Sequence, residues 1–260
     1  MPGVNAGSGV TDEGEPPAWV GAALGAGIRS ATRARWGFRH ETWVVELAGE
    51  RCVVQRRADG SDPTTSPWPA IRQLVRDAGL ATPEPVRLAS LGQDVVVALP
   101  AIDGTVAAEL LRAGHGAELV GRACGWVASR FRSIDPGAFV LPGPPGGFGE
   151  TAPVVAHGDL APVNILMRDE RVVGVLDLDR IRLAHPDYDA AWFAWVVTTH
   201  HPELADSAWR GFADAAHLRD RTPSDVAWLW PLQLAERVRE AASGPERARW
   251  LGHLETAPGD

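Results

Sequence analysis

Between His157 and Asp177 the chain reads HGDLAPVNILMRDERVVGVLD. The stretch opens with the pattern H-x-D-x-x-x-x-N, in which Asp159 and Asn164 follow the histidine, and Asp177 comes thirteen residues after Asn164. With 8 His, 18 Asp and 2 Asn in the sequence, chance gives only about 0.004 matches to this pattern. The pattern therefore indicates a functional loop rather than an ordinary polar turn.

The apolar runs on either side of this pattern predict short buried strands. Val154 to Ala156 precedes it, and Ile165 to Met167 and Val172 to Leu176 follow it. Each run ends in polar residues, as expected where buried strands deliver side chains to a site.

The polar residues of the stretch are of the types that phosphoryl transfer needs. Its transition state is loose, so a protein mainly positions groups and neutralises charge: one carboxylate orients the acceptor hydroxyl, while an amide oxygen and a second carboxylate hold metal ions. Mg²⁺ prefers oxygen ligands and usually keeps several waters, which suits Asn164 and Asp177. Asp159 is then the orienting carboxylate.

Two segments resemble the catalytic and metal-binding loops of the aminoglycoside phosphotransferase family, whose members are relatives of the protein kinases. They are His157 to Met167 (HGDLAPVNILM) and Val173 to Asp179 (VGVLDLD). The resemblance extends over most of the chain from about residue 35. It implies a role for each motif residue: Asp159 as the catalytic aspartate, Asn164 and Asp177 as the metal ligands, and His157 as a structural support for the catalytic loop.

Further residues of the same region have weaker assignments. His185 to Asp189 (HPDYD) is similar to the family's segment after the metal-binding loop, where Asp189 would brace the active site through backbone contacts. Asp179 should share a face with Asp177 if the strand continues that far. It would then add a metal or substrate contact, and an exposed carboxylate in a turn is the alternative.

The residues up to about 100 read as a small, mostly antiparallel sheet with one interposed helix. A short helix is predicted from Ala18 to about Arg33, and Ile71 lies in a second helix that Gly79 ends. The predicted strands are Thr42 to Leu47, Arg51 to Arg56, Val86 to Ser90 and Asp94 to Leu99. The first two form a hairpin.

The nucleotide site is implied by the resemblance. Gly37 to Thr42 would be the loop over the ATP phosphates, or an ordinary hairpin connection. Leu99 to Ile102 would be the hinge, and its backbone, at Leu99 and Ala101, would form hydrogen bonds with adenine. The family usually has a Lys or Arg on its third strand, and this sequence contains no Lys. Arg56, next to Gln55, is therefore the candidate phosphate cation, with a solvated strand-end cation as the alternative.

The C-terminal part is predicted to consist of packed helices with recurring Trp and Leu. The helix over 67–78 lacks the Glu that such kinases pair with the phosphate cation, so Asp77 or another acid replaces it or the pair is absent. Glu236, with Glu240 and Asp225, would line a site for a cationic acceptor or form a solvated helix face. Trp230 is a weaker acceptor-site candidate, and core packing is its alternative.

The predicted fold class is α+β, in a bilobal arrangement like that of the protein kinases. The expected organisation is a disordered leader over 1–17, an N-terminal nucleotide-binding lobe over 18–100, and a larger, mostly helical catalytic lobe over 101–260. ATP, or GTP, would bind between the lobes with Mg²⁺.

The composition limits the partners. A formal charge of −8, from 25 basic and 33 acidic residues, disfavours nucleic acid and favours a cationic ligand. No apolar run reaches membrane-spanning length, and two distant cysteines suit a reducing compartment. We therefore expect a cytoplasmic protein, a monomer or homodimer, that needs no membrane.

The predicted function is transfer of the ATP γ-phosphate to a hydroxyl of a small molecule, with a cationic antibiotic as the favoured acceptor and antibiotic resistance as the outcome. A metabolic kinase acting on a sugar, choline or an amino alcohol is one alternative. A nucleotide-binding pseudokinase is another, although the intact aspartates and asparagine argue against it. Protein kinase activity is disfavoured because no A-P-E segment follows Asp177.

Overall fold

The computed structural model describes residues 16–25, 27–34, 40–114, 116–138, 141, 151–241 and 244–257. The first 15 residues of the predicted leader lie outside this part. The chain divides into two compact units, one comprising residues up to Gln73 with Pro83–Ile102, the other Leu74–Thr82 with Asp103–Asp260.

The unit boundary after Ile102 falls close to the one expected after residue 100. The segment Leu74–Thr82 falls within the predicted N-terminal lobe, but in the structure it belongs to the second unit. The backbone explains this, because the Val175 N–H donates to the Ala81 carbonyl at 2.8 Å.

A five-stranded antiparallel sheet forms the first unit, in the order β1-β2-β3-β5-β4. Its strands are β1 (Ser30–Arg33), β2 (Glu41–Glu46), β3 (Arg51–Arg57), β4 (Val86–Leu91) and β5 (Asp94–Pro100). The predicted hairpin is confirmed, since β2 pairs with β3 in a register that sets Trp43 opposite Val54. The helix predicted from Ala18 was too long: α1 (Ala18–Leu24) ends at Gly25, whose φ of 77° suits glycine.

Alternation along the strands builds the core of this unit. Val45, Cys52, Val54 and Val96 are buried together with Val20 of α1. Since neighbouring residues of a strand point to opposite faces, the side chains at even positions of β3 lie on the face that α1 covers. The second helix, α2 (Trp68–Asp77), is followed by the predicted glycine, at φ 82°.

The second unit is mostly helical. Its helices are α3 (Ala107–Arg112), α4 (Ala117–Arg132), α5 (Tyr188–His200), α6 (Ala205–Ala215), α7 (Trp230–Glu240) and α8 (Pro245–Glu255). Its strands are β6 (Thr105–Val106), β7 (Val154–Ala156), β8 (Ile165–Arg168), β9 (Arg171–Val175) and β10 (Arg182–Ala184). β8 lies between β6 and β9, and β7 pairs with β10. The strands after β6 thus lie before and after the motif in the chain, as predicted. Within the described ranges, no helix is long and apolar enough to cross a membrane.

Helices α4 and α6 pack backbone to backbone because glycines stand where they cross. A Cβ atom added at Gly125 would lie 2.2 Å from the Phe212 carbonyl oxygen, and one at Gly121 would lie 1.8 Å from that of Ala208. Carbonyl groups of a helix backbone cannot move aside as a flexible side chain can. Any larger residue must therefore push the helices apart.

Gly125→Ala is expected to reduce the free energy of unfolding by about 3 kcal/mol or more, as overpacking of a rigid contact does. Gly252→Ala is the matched control, because Gly252 lies on exposed α8 with nothing within 4 Å of the added Cβ. In the control, the better helix propensity of alanine should stabilise by about 0.5 to 1 kcal/mol. Urea unfolding measures both, and equal effects of the two substitutions would contradict the crossing described.

Helices α5, α7 and α8 meet in a tryptophan-rich cluster. Trp192 and Trp195 stack with ring centroids 4.9 Å apart, and Trp250 of α8 lies against both. His200 and His253 each meet the Trp195 ring edge-on, at 5.5 and 5.1 Å. The docking of α8 therefore places two histidines in an aromatic environment.

This environment predicts a loss of stability in mild acid. Burial lowers the pKa of His200, helped by the nearby His253, and burial and Arg249 lower the pKa of His253. Because the folded-state pKa lies below the unfolded value of about 6.5, the unfolded chain takes up protons first as the pH falls through this value. The free energy of unfolding should decrease below that pH. Urea unfolding at a series of pH values measures this decrease. His253→Phe should make the free energy of unfolding fall less steeply with decreasing pH, whereas substitution of the exposed His217 should not. An unchanged dependence on pH in His253→Phe would contradict the contribution assigned to His253.

Candidate active site

His157 links the strands that carry the motif. The residue follows β7 and is fully buried. Its Nε2 lies 3.0 Å from the Leu176 carbonyl, and its Nδ1 accepts a hydrogen bond from the Asp159 N–H at 3.2 Å. These partners fit the neutral tautomer with its proton on Nε2. The ring therefore ties the loop that carries Asp159 to the end of β9, and its role as a structural support of a catalytic loop stays a prediction.

Asp189, in the first turn of α5, holds the same loop from the other side. Its carboxylate accepts the N–H of His157 at 2.8 Å and that of Gly158 at 3.0 Å. Burial raises the pKa of this carboxyl, while the two backbone donors act in the opposite direction. The backbone contacts proposed for Asp189 from the sequence are thus present in the structure.

Gly158 lets the loop approach the turn that follows Asp177. Its φ is 79°, and an added Cβ would lie 2.0 Å from the Arg180 carbonyl oxygen. Both the backbone conformation and the contact require glycine. Asp159 is therefore fixed between His157, Gly158 and this turn.

Asn164 and Asp177 are brought together by the backbone. The Leu176 N–H donates to the Asn164 carbonyl at 2.9 Å, so Asp177 follows directly after a residue bonded to Asn164. The Asn164 side-chain Nδ2 donates to the Asp159 carbonyl at 2.9 Å, which leaves Oδ1 as the atom it would offer to a cation. Asp177 is exposed and has a left-handed φ of 54°.

This donor set fits Mg²⁺. An amide oxygen and a carboxylate are hard oxygen ligands, and Mg²⁺ is commonly held by one or two protein groups with water and phosphate oxygens. Within the described ranges, no cluster of three or more His, Cys, Asp and Glu residues suits a metal ion. The Asn164 amide and the Asp177 carboxylate thus suit a cation site that water and phosphate oxygens would complete.

Two arginines lie at the Asp159 carboxylate. Arg237 of α7 donates to Oδ1 at 2.7 Å and contacts the Gly158 carbonyl at 3.3 Å, while the Arg180 Nε lies 3.9 Å from Oδ2. Burial acts to raise the pKa of Asp159, but the charges of Arg237 and Arg180 outweigh it and the pKa is lowered. Neither arginine was predicted from the sequence, since nothing in the pattern distinguishes them from the other arginines of the chain.

The acidic candidates of α7 have arginine partners. Glu236 is buried, pairs with Arg182, and accepts the Tyr188 hydroxyl at 2.6 Å. Glu240 pairs with Arg180. Arg180 therefore links Glu240 to Asp159, and both acids of α7 have their charges compensated.

The other candidates of this unit have structural contacts. The Trp230 Nε1–H donates to the Ala191 carbonyl at 2.8 Å, and its ring packs on the tryptophan cluster, which matches the core alternative. Asp225 caps a turn by accepting the Thr222 N–H at 2.7 Å. Asp179 lies in a 3-10 turn rather than on a strand, so strand alternation does not relate it to Asp177.

The nucleotide candidates lie in the first unit. Arg56 donates from Nε to Asp94 at 2.6 Å, on the sheet face that α1 covers, and Gln55 lies on the opposite face of β3. Leu99 pairs with Val53 in the sheet.

The predicted hinge and phosphate loop are described only in part. The Ala101 N–H donates to the Arg51 carbonyl at 3.2 Å. Residues 37–39 of the predicted phosphate loop lie outside the described residues. The helix α2 is the one on which related kinases carry the Glu that pairs with the phosphate cation. Here its buried Arg72 pairs with Glu84 at 2.8 Å. The roles of these residues in nucleotide binding stay predictions.

The first unit is an antiparallel sheet, and the second unit is mostly helical and holds the loop His157–Asp159 between its strands. These features match the predicted kinase-like fold. Residues 138–229 match the model of the family described as the phosphotransferase enzyme family, or APH. No curated protein matches the chain in sequence.

Solved structures have the same fold at low sequence identity. Aminoglycoside phosphotransferase APH(4)-Ia is 12% identical, with a TM-score of 0.64 and coverage of 92% of this chain and 96% of that chain. The GDP and kanamycin complex of APH(2")-IIia is 13% identical, with a TM-score of 0.62 and coverage of 91% and 95%. Macrolide 2'-phosphotransferase MphH from Brachybacterium faecium is 15% identical, with a TM-score of 0.55 and coverage of 93% and 98%.

The structural likeness confirms the predicted α+β kinase-like fold. The family match covers the segment that contains both loops and confirms the resemblance that they predicted.

Proposed function

We propose that the protein is an ATP- and Mg²⁺-dependent phosphotransferase that phosphorylates a hydroxyl group of a small molecule. The observation that carries the proposal is the bracing of one loop by His157, Asn164 and Asp189, which holds Asp159 and ties its loop to Leu176, the residue before Asp177. Phosphoryl transfer depends mainly on such positioning. The nucleotide complexes among the related folds, with GDP and with ADP, support nucleotide binding.

In this proposal each motif residue has one task. Asp159 accepts a hydrogen bond from the acceptor hydroxyl and orients it for in-line attack. Asn164, through Oδ1, and Asp177 would hold Mg²⁺, which when bound neutralises charge on the transferring phosphates. The arginines at Asp159 keep its carboxylate ionised and in place.

Antibiotics are the first acceptors to examine. The related folds include complexes with kanamycin, hygromycin B and spectinomycin. Expression in a sensitive host should raise resistance to at least one antibiotic that carries an accessible hydroxyl. Unchanged sensitivity across aminoglycosides, macrolides and neutral hydroxylated antibiotics would count against this acceptor class and favour a metabolic kinase.

Calorimetry with a non-hydrolysable ATP analogue tests the nucleotide and metal assignments together. Wild-type protein should bind the analogue more tightly with Mg²⁺ than in a metal chelator, and Asp177→Asn should abolish that difference. Asp169→Asn is the matched control, because Asp169 is an exposed turn residue with a φ of 50° that asparagine tolerates. Failure to bind the nucleotide, or a metal effect that Asp177→Asn leaves intact, would contradict the proposal.

A further inference from the structure

The carboxylates on the acceptor side of the site are compensated one by one. Asp159 pairs with Arg237, and the two acids of α7 pair with arginines of the segment after Asp177. These two pairs are Glu236 with Arg182 and Glu240 with Arg180. In the proposed mechanism the acceptor hydroxyl lies at Asp159, so Arg237 and Arg180, which contact this carboxylate, and Glu240, which pairs with Arg180, are charged neighbours of its reacting end.

The pairs are built into the fold. The Arg237 side chain is only 7% exposed and stacks over the Trp192 ring at 4.2 Å from the centroid. Arg182 is also held by the Tyr188 hydroxyl, at 3.1 Å. Arginines fixed by an aromatic face and a hydroxyl lose little further freedom when they hold their carboxylates.

The consequence of this pairing is that these three carboxylates carry no uncompensated negative charge. Three carboxylates and three guanidinium groups sum to zero formal charge, although the whole chain carries −8. An ammonium group placed beside the reacting hydroxyl would have to displace an arginine from its carboxylate or lie against the guanidinium groups. Like charges in such a partly buried site are unfavourable.

We propose that the acceptor is an uncharged polyhydroxyl compound at its reacting end, and that Arg180 and Arg237 exclude acceptors with an ammonium group there. This inference rests on the proposed phosphotransferase function. It narrows the acceptor class and replaces the cationic acceptor that the net charge of the chain favoured.

Matched acceptors test the proposal through turnover. ADP formation with Mg²⁺ and ATP is measured for glucose against glucosamine, in which one hydroxyl is replaced by an ammonium group, and for myo-inositol against kanamycin. The value of kcat/KM for the cationic member of each pair should be at least about tenfold lower, because a like charge near a guanidinium is repelled. A cationic acceptor that is used as well as or better than its neutral counterpart would overturn the proposal.

Binding decides the inference even if none of these compounds is phosphorylated. Kanamycin is titrated into wild-type protein, Arg180→Gln and Arg210→Gln. Arg180→Gln leaves Glu240 uncompensated, whose side chain is 42% exposed, and should tighten kanamycin binding by about fivefold at low salt. Arg210, exposed on α6, makes the same change in net charge at a remote position and should have no effect.

The outcomes separate the inference from the function. Tight kanamycin binding by wild-type protein that Glu240→Gln weakens, or equal effects of the two arginine variants, would overturn the charge-compensation inference. Nucleotide binding without turnover of any acceptor would count against the proposed function, while the binding comparison would still hold. Thermal unfolding of each variant verifies that it is folded.

Discussion

Asp159→Asn is expected to lower kcat for phosphoryl transfer by about 10² to 10⁴, the usual cost of losing a positioned acid or base group. In the proposed mechanism the carboxylate orients the acceptor hydroxyl, and the amide has one oxygen acceptor instead of two and no charge. Arg237 donates to Oδ1 at 2.7 Å, so the amide also leaves this buried cation without a negatively charged partner. Steady-state ADP formation with saturating MgATP measures the change.

The control for this experiment is Asp206→Asn on the exposed surface of α6, which should keep wild-type kcat. Nucleotide binding by Asp159→Asn should stay within a few fold of wild type, because Asp159 is assigned to the acceptor and not to the phosphates. Turnover by Asp159→Asn at the wild-type rate would remove Asp159 from the mechanism.

Asp189→Ala is expected to have the largest effect on stability. Its carboxylate is the partner of two backbone donors, the N–H groups of His157 and Gly158, at 2.8 and 3.0 Å. Each buried donor left without a partner costs about 1 to 3 kcal/mol, so a loss of about 2 to 6 kcal/mol is expected. This is a large share of the roughly 5 to 15 kcal/mol by which domains are stable.

Urea unfolding measures the effect, with Asp189→Asn as an intermediate case because it keeps one oxygen acceptor. Asp206→Ala, at an exposed position of α6, is the matched control and should change the free energy of unfolding by less than about 0.5 kcal/mol. A similar value for Asp189→Ala would mean that the two N–H groups have other partners.

The loop that carries Asp159 could be predicted because its residues are close in sequence. The distance from His157 to Asp177 is spanned by a hairpin, and the hydrogen bonds of Leu176 to His157 and Asn164 close it. The sequence spacing of these residues was therefore enough to predict most of the geometry of the loop. Asp189 could be assigned only through the resemblance, since no short-range rule relates it to a loop 31 residues earlier.

The arginine pairs could not be predicted, because they join distant parts of the chain. Arg237 reaches Asp159 across 78 residues, and Arg182 reaches Glu236 across 54. A helix face with Glu236 and Glu240 reads as acidic in the sequence, and only the packing of α7 shows that each acid meets an arginine. The overall charge of −8 thus does not describe the charge at the site.

The first helix was predicted too long for a local reason. Small apolar residues continue past Leu24 into the segment that becomes β1, so composition alone does not end the helix. Gly25 ends it through its backbone conformation, and the partner strand β2 recruits the residues from Ser30 onward. Strand pairing is a tertiary effect that a local pattern does not contain.

Mass spectrometry of the acceptor after incubation with MgATP directly tests phosphoryl transfer to a hydroxyl group. For an acceptor that stimulates ADP formation, we expect a product that is heavier by one phosphoryl group attached through oxygen. This product should form only with Mg²⁺ and should be absent with Asp159→Asn. ADP formation without any phosphorylated acceptor, or the same product with Asp159→Asn, would contradict this expectation.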